Sequence, residues 1–220
     1  MWITSVPADA GRLRVLPDAA IDLVFAGGRL VVAGPDTTAC LESLPAGRPV
    51  LGFQLRPGAV PTALAAPASA VRDQRVDVTD LWGHAGRDLA EAMVEAPRPA
   101  LAADVLERFL MRRIAGRTPD RLPGAMAVRL GAGGPADLGS LGLGERQLRR
   151  RCIASFGYGP RTLARIARFQ STLDLLRNRP AMSLSAVAVA AGYADQAHLA
   201  HDVGTFSGLT PRALRSALIS

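Results

Sequence analysis

A shift of 51 residues lays one stretch of this chain over another, and this internal repeat narrows the folds open to it more than any other feature. Leu148 falls on Leu199, and Gly157, Pro160, Arg161 and Leu163 fall on Gly208, Pro211, Arg212 and Leu214. In the downstream copy, the apolar run Val187-Ala188-Val189-Ala190-Ala191 has helical character and breaks at Gly192, a residue suited to the positive φ of a tight turn. Asp195 stands as an N-cap before Leu199, Val203 and Phe206, which recur at helical spacing. The pattern is helix, tight turn, helix. Two short helices joined at a glycine also occur in many all-α cores, and the second copy is what favours a paired function over a purely structural one.

Between the copies, Pro160 opens and Asn178 closes a segment in which Leu163, Ile166, Phe169, Leu173 and Leu176 step by three or four. It is expected to form one amphipathic helix, roughly 28 Å long at 1.5 Å per residue. Successive major-groove faces on one side of a duplex lie about 34 Å apart, so such a connector can set two helices about one turn of DNA apart.

Residues 142–215 resemble the AraC/XylS-type DNA-binding domain, in which two helix-turn-helix units are joined by a long helix. The resemblance rests on the run from Gly192 to Leu199, on the Gly-x-x-Pro closing each unit (Gly157 to Pro160, Gly208 to Pro211), and on Arg168-Phe169 in the linker. Residues 7–36 and 52–58 resemble the small N-terminal domain of a subgroup of these regulators, although Ala19-Ala20 stand where that subgroup often has Gly-Cys. That departure argues against a thiol sensor there.

Charge agrees with a polyanion partner. All 26 basic residues are Arg, 15 of them facing 15 acids in residues 1–137 and 11 facing only 4 acids in residues 138–220, so the net +7 lies in the C-terminal part. The start of the chain lacks the basic-then-apolar pattern of a signal peptide, and no run approaches the ~18 apolar residues of a membrane span. The expectation is a cytoplasmic protein without a membrane partner. Cys40 and Cys152 form neither a disulfide framework nor a zinc site.

In the N-terminal half, alternation across Ile21 to Val32 around Gly27-Gly28 predicts a β-hairpin, with further strands at Val50 to Leu55 and near Val76 to Val78. A helix is expected from Asp80 to about Ala96 with Leu81, Leu89, Met93 and Val94 on one face. Another is expected from about Ala100 to Ile114 with Leu101, Val105, Phe109 and Ile114 inward. Asp120 to Leu130 is expected to be the first helix of the DNA-binding domain, with Gly131 to Pro135 a flexible joint behind it. The fold class is therefore α+β: a small N-terminal β-sheet with helices, then an all-α C-terminal domain of two helix-turn-helix units and a linker helix. Residues 1–116 would sense or associate, and residues 117–220 would bind DNA.

An enzyme is not expected. His84 is the N-terminal half's only histidine, the acids Asp18, Asp22 and Asp36 have no ligating partner at metal spacing, and Gly131-Ala132-Gly133-Gly134 lacks the strand and the Lys-Ser/Thr of a phosphate loop. A cysteine-based alkyl-acceptor repair domain, found fused to some of these regulators, needs several metal-binding cysteines, and this half has Cys40 alone. No cofactor or metal is expected.

In each unit the second helix should enter the major groove. For the downstream unit this leaves Gln196, Ala197, Ala200 and His201 outward, positions where related proteins read bases. For the upstream unit Leu148 and Cys152 take the inward places and Arg146, Arg149 and Arg150 face out, Arg149 and Arg150 being best placed to fork onto guanine. Arg151 is expected at the helix flank, holding phosphate. The upstream unit departs from the family: Leu138 reaches Gly142 in four residues where Val187 reaches Gly192 in five, and Gly144 replaces a stronger cap. In the downstream unit Gly204 replaces a basic residue and Asp202 adds an acid, which suggests few phosphate anchors there. Taken together, the sequence points to a bacterial transcription regulator. Double-stranded DNA is its partner, and the resemblance adds RNA polymerase, a small-molecule effector and a homodimer. The alternative is a ligand-binding protein with weak nonspecific DNA affinity.

Overall fold

The structure is a computed structural model that describes residues 2–5, 12–43, 49–118, 120–131 and 141–219. The N-terminal half is built on a five-stranded antiparallel sheet in the order β1-β6-β3-β4-β7, made of β1 (Trp2–Ser5), β3 (Asp22–Ala26), β4 (Arg29–Ala33), β6 (Pro49–Gln54) and β7 (Arg75–Asp77). A second, two-stranded sheet pairs β2 (Leu13–Val15) with β5 (Cys40–Glu42). The expected hairpin is β3–β4, with Leu23 opposite Val32 and Phe25 opposite Leu30. Both turn residues, Gly27 and Gly28, have positive φ (59° and 82°), the two-residue geometry whose twist matches the strands.

Helices close one side of this sheet. The short α1 (Val60–Leu64) and α2 (Val78–Trp82) precede the longer α3 (His84–Glu95) and α4 (Pro99–Ile114). Leu23, Leu30, Val32 and Leu51 from the sheet share a core with Val60, Trp82, Leu89, Met93 and Leu106. The single helix expected over Asp80 to Ala96 is instead two, broken at Gly83, where φ is +59°. Two expected faces also need correcting. Val94 is 57% exposed rather than buried with Leu89 and Met93. On α4 the buried stripe is Ala102, Ala103, Leu106 and Leu110, one residue from the expected one, and Leu101 lies outward. The rotation brings Phe109 against the Trp82 ring (centroids 5.0 Å apart) and the Arg113 guanidinium over that ring at 4.9 Å.

The remainder is helical: α5 (Leu122–Gly131), α6 (Glu145–Phe156), α7 (Pro160–Asn178), α8 (Leu184–Ala190), α9 (Gln196–Ser207) and α10 (Pro211–Ile219). α7 has the expected bounds and buries all of Leu163, Ile166, Phe169, Leu173 and Leu176. These side chains form a second core with Met126 of α5, Cys152 and Phe156 of α6, and Leu199, Val203 and Phe206 of α9. Leu16 and Ala19 of the N-terminal half pack against that core, so the halves touch.

Candidate nucleic-acid interface

The downstream unit is a helix-turn-helix in full. Ser183 caps α8 by accepting from the Ala186 backbone N–H (3.2 Å), and the chain leaves the helix through Gly192 at φ 80°. The next ring, Tyr193, is buried under the Arg168 guanidinium (5.4 Å), and burial pushes its phenol up to about 12. Asp195 then caps α9, accepting from the His198 N–H at 2.7 Å. Leu199, Val203 and Phe206 turn inward, Phe206 meeting Phe169 of the linker helix at 5.3 Å.

That rotation leaves Gln196, Ala197 and His201 exposed and Ala200 half-buried. Ser185 of α8 donates to Gln196 Oε1 (3.0 Å), which fixes the carboxamide while leaving its N–H groups and a second lone pair outward. Asp202 is placed differently from the sequence expectation. It is 1% exposed, and its Oδ1 accepts from Arg165 Nε and Nη2 of α7 at 3.1 and 2.8 Å, so its charge is spent inside the domain rather than on the outer face. The Arg165 guanidinium also lies over Phe206 at 5.1 Å. Together these contacts lock α9 to the linker helix.

In the upstream unit, Leu148, Cys152 and Phe156 of α6 face inward, and burial raises the Cys152 thiol to about 11. Arg146, Arg149 and Arg150 are exposed, with Glu145 of the first turn as their acidic neighbour on the helix. Arg151 is half-buried in an ion pair with Asp120, which precedes α5. Gly144 is the N-cap of α6 and offers no side-chain oxygen. The expected short helix around Leu138 and most of the glycine joint at 131–135 lie outside the described residues; Gly142 is described, with φ 67°.

α6 and α9 end alike, at Gly157 (φ 82°) and Gly208 (φ 68°), and neither carries a basic residue in its last turn. In both cases an arginine of the N-terminal half supplies the cation that a helix C-terminus favours. Arg72 Nη1 donates to Gly157 O (3.2 Å), and Arg14 Nη1 donates to Ser207 O (2.9 Å). Tyr158, just past α6, donates its buried hydroxyl to Asp36 O (2.8 Å), and Gln170 of α7 donates to Pro17 O (2.6 Å). The Asp36 carboxylate is itself held by a two-pronged Arg75 (2.9 and 2.8 Å), whose Nε also reaches Glu42. Of the residues that sequence spacing turned outward, Arg146, Arg149, Arg150, Gln196, Ala197 and His201 are exposed and Ala200 is half-buried; spacing gave no sign of Arg14 or Arg72, whose partners lie 193 and 85 residues away.

Two further features bear on function. A cavity of about 400 Å³ lies between the halves, lined by Ala19, Leu55 and Arg56 on one side and Phe156, Ile166 and Gln170 on the other. Among the described residues, no cluster of His, Cys, Asp and Glu is placed to hold a metal, and no helix is long and apolar enough to cross a membrane.

Residues 139–217 match a family model described as a helix-turn-helix domain, and residues 1–77 match a domain of unknown function (DUF6597). No curated protein matches the chain. Among solved structures it is similar to ToxT from Vibrio cholerae, at 12% identity and a TM-score of 0.48, over 100% of this chain and 97% of that one. By the family-model match, residues 139–217, about a third of the chain, form a helix-turn-helix domain.

Proposed function

We propose that the chain reads duplex DNA through two helices, α6 and α9, set in successive major grooves on one side of the duplex. The observation that carries this is the pairing of two exposed, chemically different faces on either end of a 19-residue linker helix. On α6, Arg149 and Arg150 would fork onto guanine O6 and N7, with Arg146 beside them, and Arg151 would reach the phosphates only by leaving its ion pair with Asp120. On α9, Gln196 suits adenine, Ala197 and Ala200 suit a thymine methyl, and His201 suits a phosphate or guanine. The chemistry suggests that α6 supplies most of the affinity and α9 the discrimination.

We place the domain boundary near residue 116, with residues 1–116 as a sensing or association domain. The inter-half cavity is in the size range of small-molecule sites, and a ligand there would touch both halves at once. RNA polymerase contact and homodimer formation are what the resemblance to AraC/XylS-type regulators implies, and no contact described above bears on them.

Selection of sites from random duplexes at near-physiological salt tests the proposal, using the full chain and an Arg149→Ala, Arg150→Ala variant. The expected motif has two half-sites about one helical turn apart. The variant should lose sequence preference at one half-site, at about 1–3 kcal/mol per arginine removed. A steep salt dependence with no motif in either protein would replace this reading with nonspecific binding by a ligand-binding protein.

A further inference from the structure

We propose that the N-terminal half shuts the upstream reading helix, so that α6 enters a major groove only after the segment 67–72 withdraws from it. This rests on the assignment of α6 and α9 as the DNA-reading helices, and three observations lead to it.

The first is where the segment lies. Pro67 and Ser69 form one wall of a groove of about 600 Å³, and Arg146, Arg149, Arg150 and Ile153 of α6 form the other. The short 3₁₀ turn Ala68–Ala70 therefore stands beside the arginines that are assigned to bases. A helix with its side chains is about 10–12 Å across and the major groove about 12 Å wide, so one helix fills it. A second segment alongside the reading face has no room.

The second is how firmly the segment is fastened. Arg72 holds the last carbonyl region of α6, and Tyr158 holds Asp36. A Cβ at Gly157 would lie 2.6 Å from Pro35 Cγ and 3.4 Å from Ala68 O, so the two halves meet there with no room for a side chain. The third is asymmetry. On α9, Arg14 grips only the carbonyl end at Ser207, and the groove walled by Pro67 and Ser69 does not extend to Gln196, Ala197 or His201. In this state α9 can dock and α6 cannot. The free guanidinium groups of Arg149 and Arg150 are then held in reserve until the halves part.

The test compares two duplexes, one carrying both selected half-sites and one carrying only the half-site of α9, by affinity and hydroxyl-radical footprint. An Arg72→Ala, Tyr158→Phe chain loses two inter-half hydrogen bonds while keeping the Tyr158 ring. It should bind the two-half-site duplex about tenfold more tightly and the single-half-site duplex unchanged. A Ser69→Cys, Ala154→Cys chain in a Cys40→Ser background, bridged by a short bismaleimide, should protect only the α9 half-site, and the unbridged chain should protect both. A bridged chain that protects both half-sites with the affinity of the unbridged one overturns the closure, as does an unlatched chain with no gain on the longer duplex. If no version of the chain distinguishes either half-site from random DNA, the assignment of α6 and α9 falls, and the closure falls with it.

Discussion

Asp202 directly follows the exposed His201, yet its carboxylate is turned into the domain against Arg165. Its position was legible, because Asp202 lies three residues after Leu199 and four before Phe206, on the same stripe as the core. Reading its charge without its angle around the helix led to the wrong face. Because the acid is buried and the arginine about a third exposed, the two single deletions should differ. Arg165→Ala, which strands a buried acid, should cost about 2–4 kcal/mol, more than Asp202→Asn. Urea unfolding of both variants checks the order; equal losses would mean that the pair does not act as a unit. The tyrosines give a pH prediction. Burial raises the phenols of Tyr158 and Tyr193 above their unfolded value of about 10, so the folded state favours the neutral form. The stability this brings is complete below pH ~10 and is lost as the pH rises, through about 12 for Tyr193. Thermal melts should fall above pH ~10, and Tyr158→Phe should shallow that fall.

Among the elements, the linker helix α7 was legible to its bounds, since a proline start, a proline beyond its end and an unbroken apolar stripe all agree. The strands of the hairpin and β6 were legible for the same reason: alternation between clear turn signals. What was missed is short. β2 and β5 have three residues each and expose Leu13 and Leu41, so neither alternation nor burial marks them. The one-residue error on α4 has a similar cause, because Ala102 and Ala103 fill the inward places that larger neighbours seemed to claim. Helices α6 and α9 differ in how they start. Asp195→Ala should destabilise by about 1 kcal/mol through loss of the bond to the His198 N–H. At Gly144 the backbone is already extended (φ −63°, ψ 150°) and a Cβ would meet nothing, so Gly144→Asp should stabilise by a few tenths of a kcal/mol. Denaturation of the two variants against the parent measures both; a destabilised Gly144→Asp would show that α6 starts elsewhere.

At the scale of the whole molecule, each half could be read from its own periodicity, but their contact could not. The groups that join them, Arg14 to Ser207, Arg72 to Gly157 and Tyr158 to Asp36, are single polar residues in stretches that carry no pattern. The same contact has a kinetic and thermodynamic meaning of its own. Both halves belong to one chain and are tied by the few residues between α4 and α5. The N-terminal half is therefore presented to α6 at an effective concentration fixed by the tether, in the millimolar range for a short one. Dilution does not weaken such a competitor. DNA has to overcome the same opposition at one copy per cell as in a concentrated solution, and a latch of this kind multiplies the protein concentration needed to occupy a promoter by a factor set by its own strength.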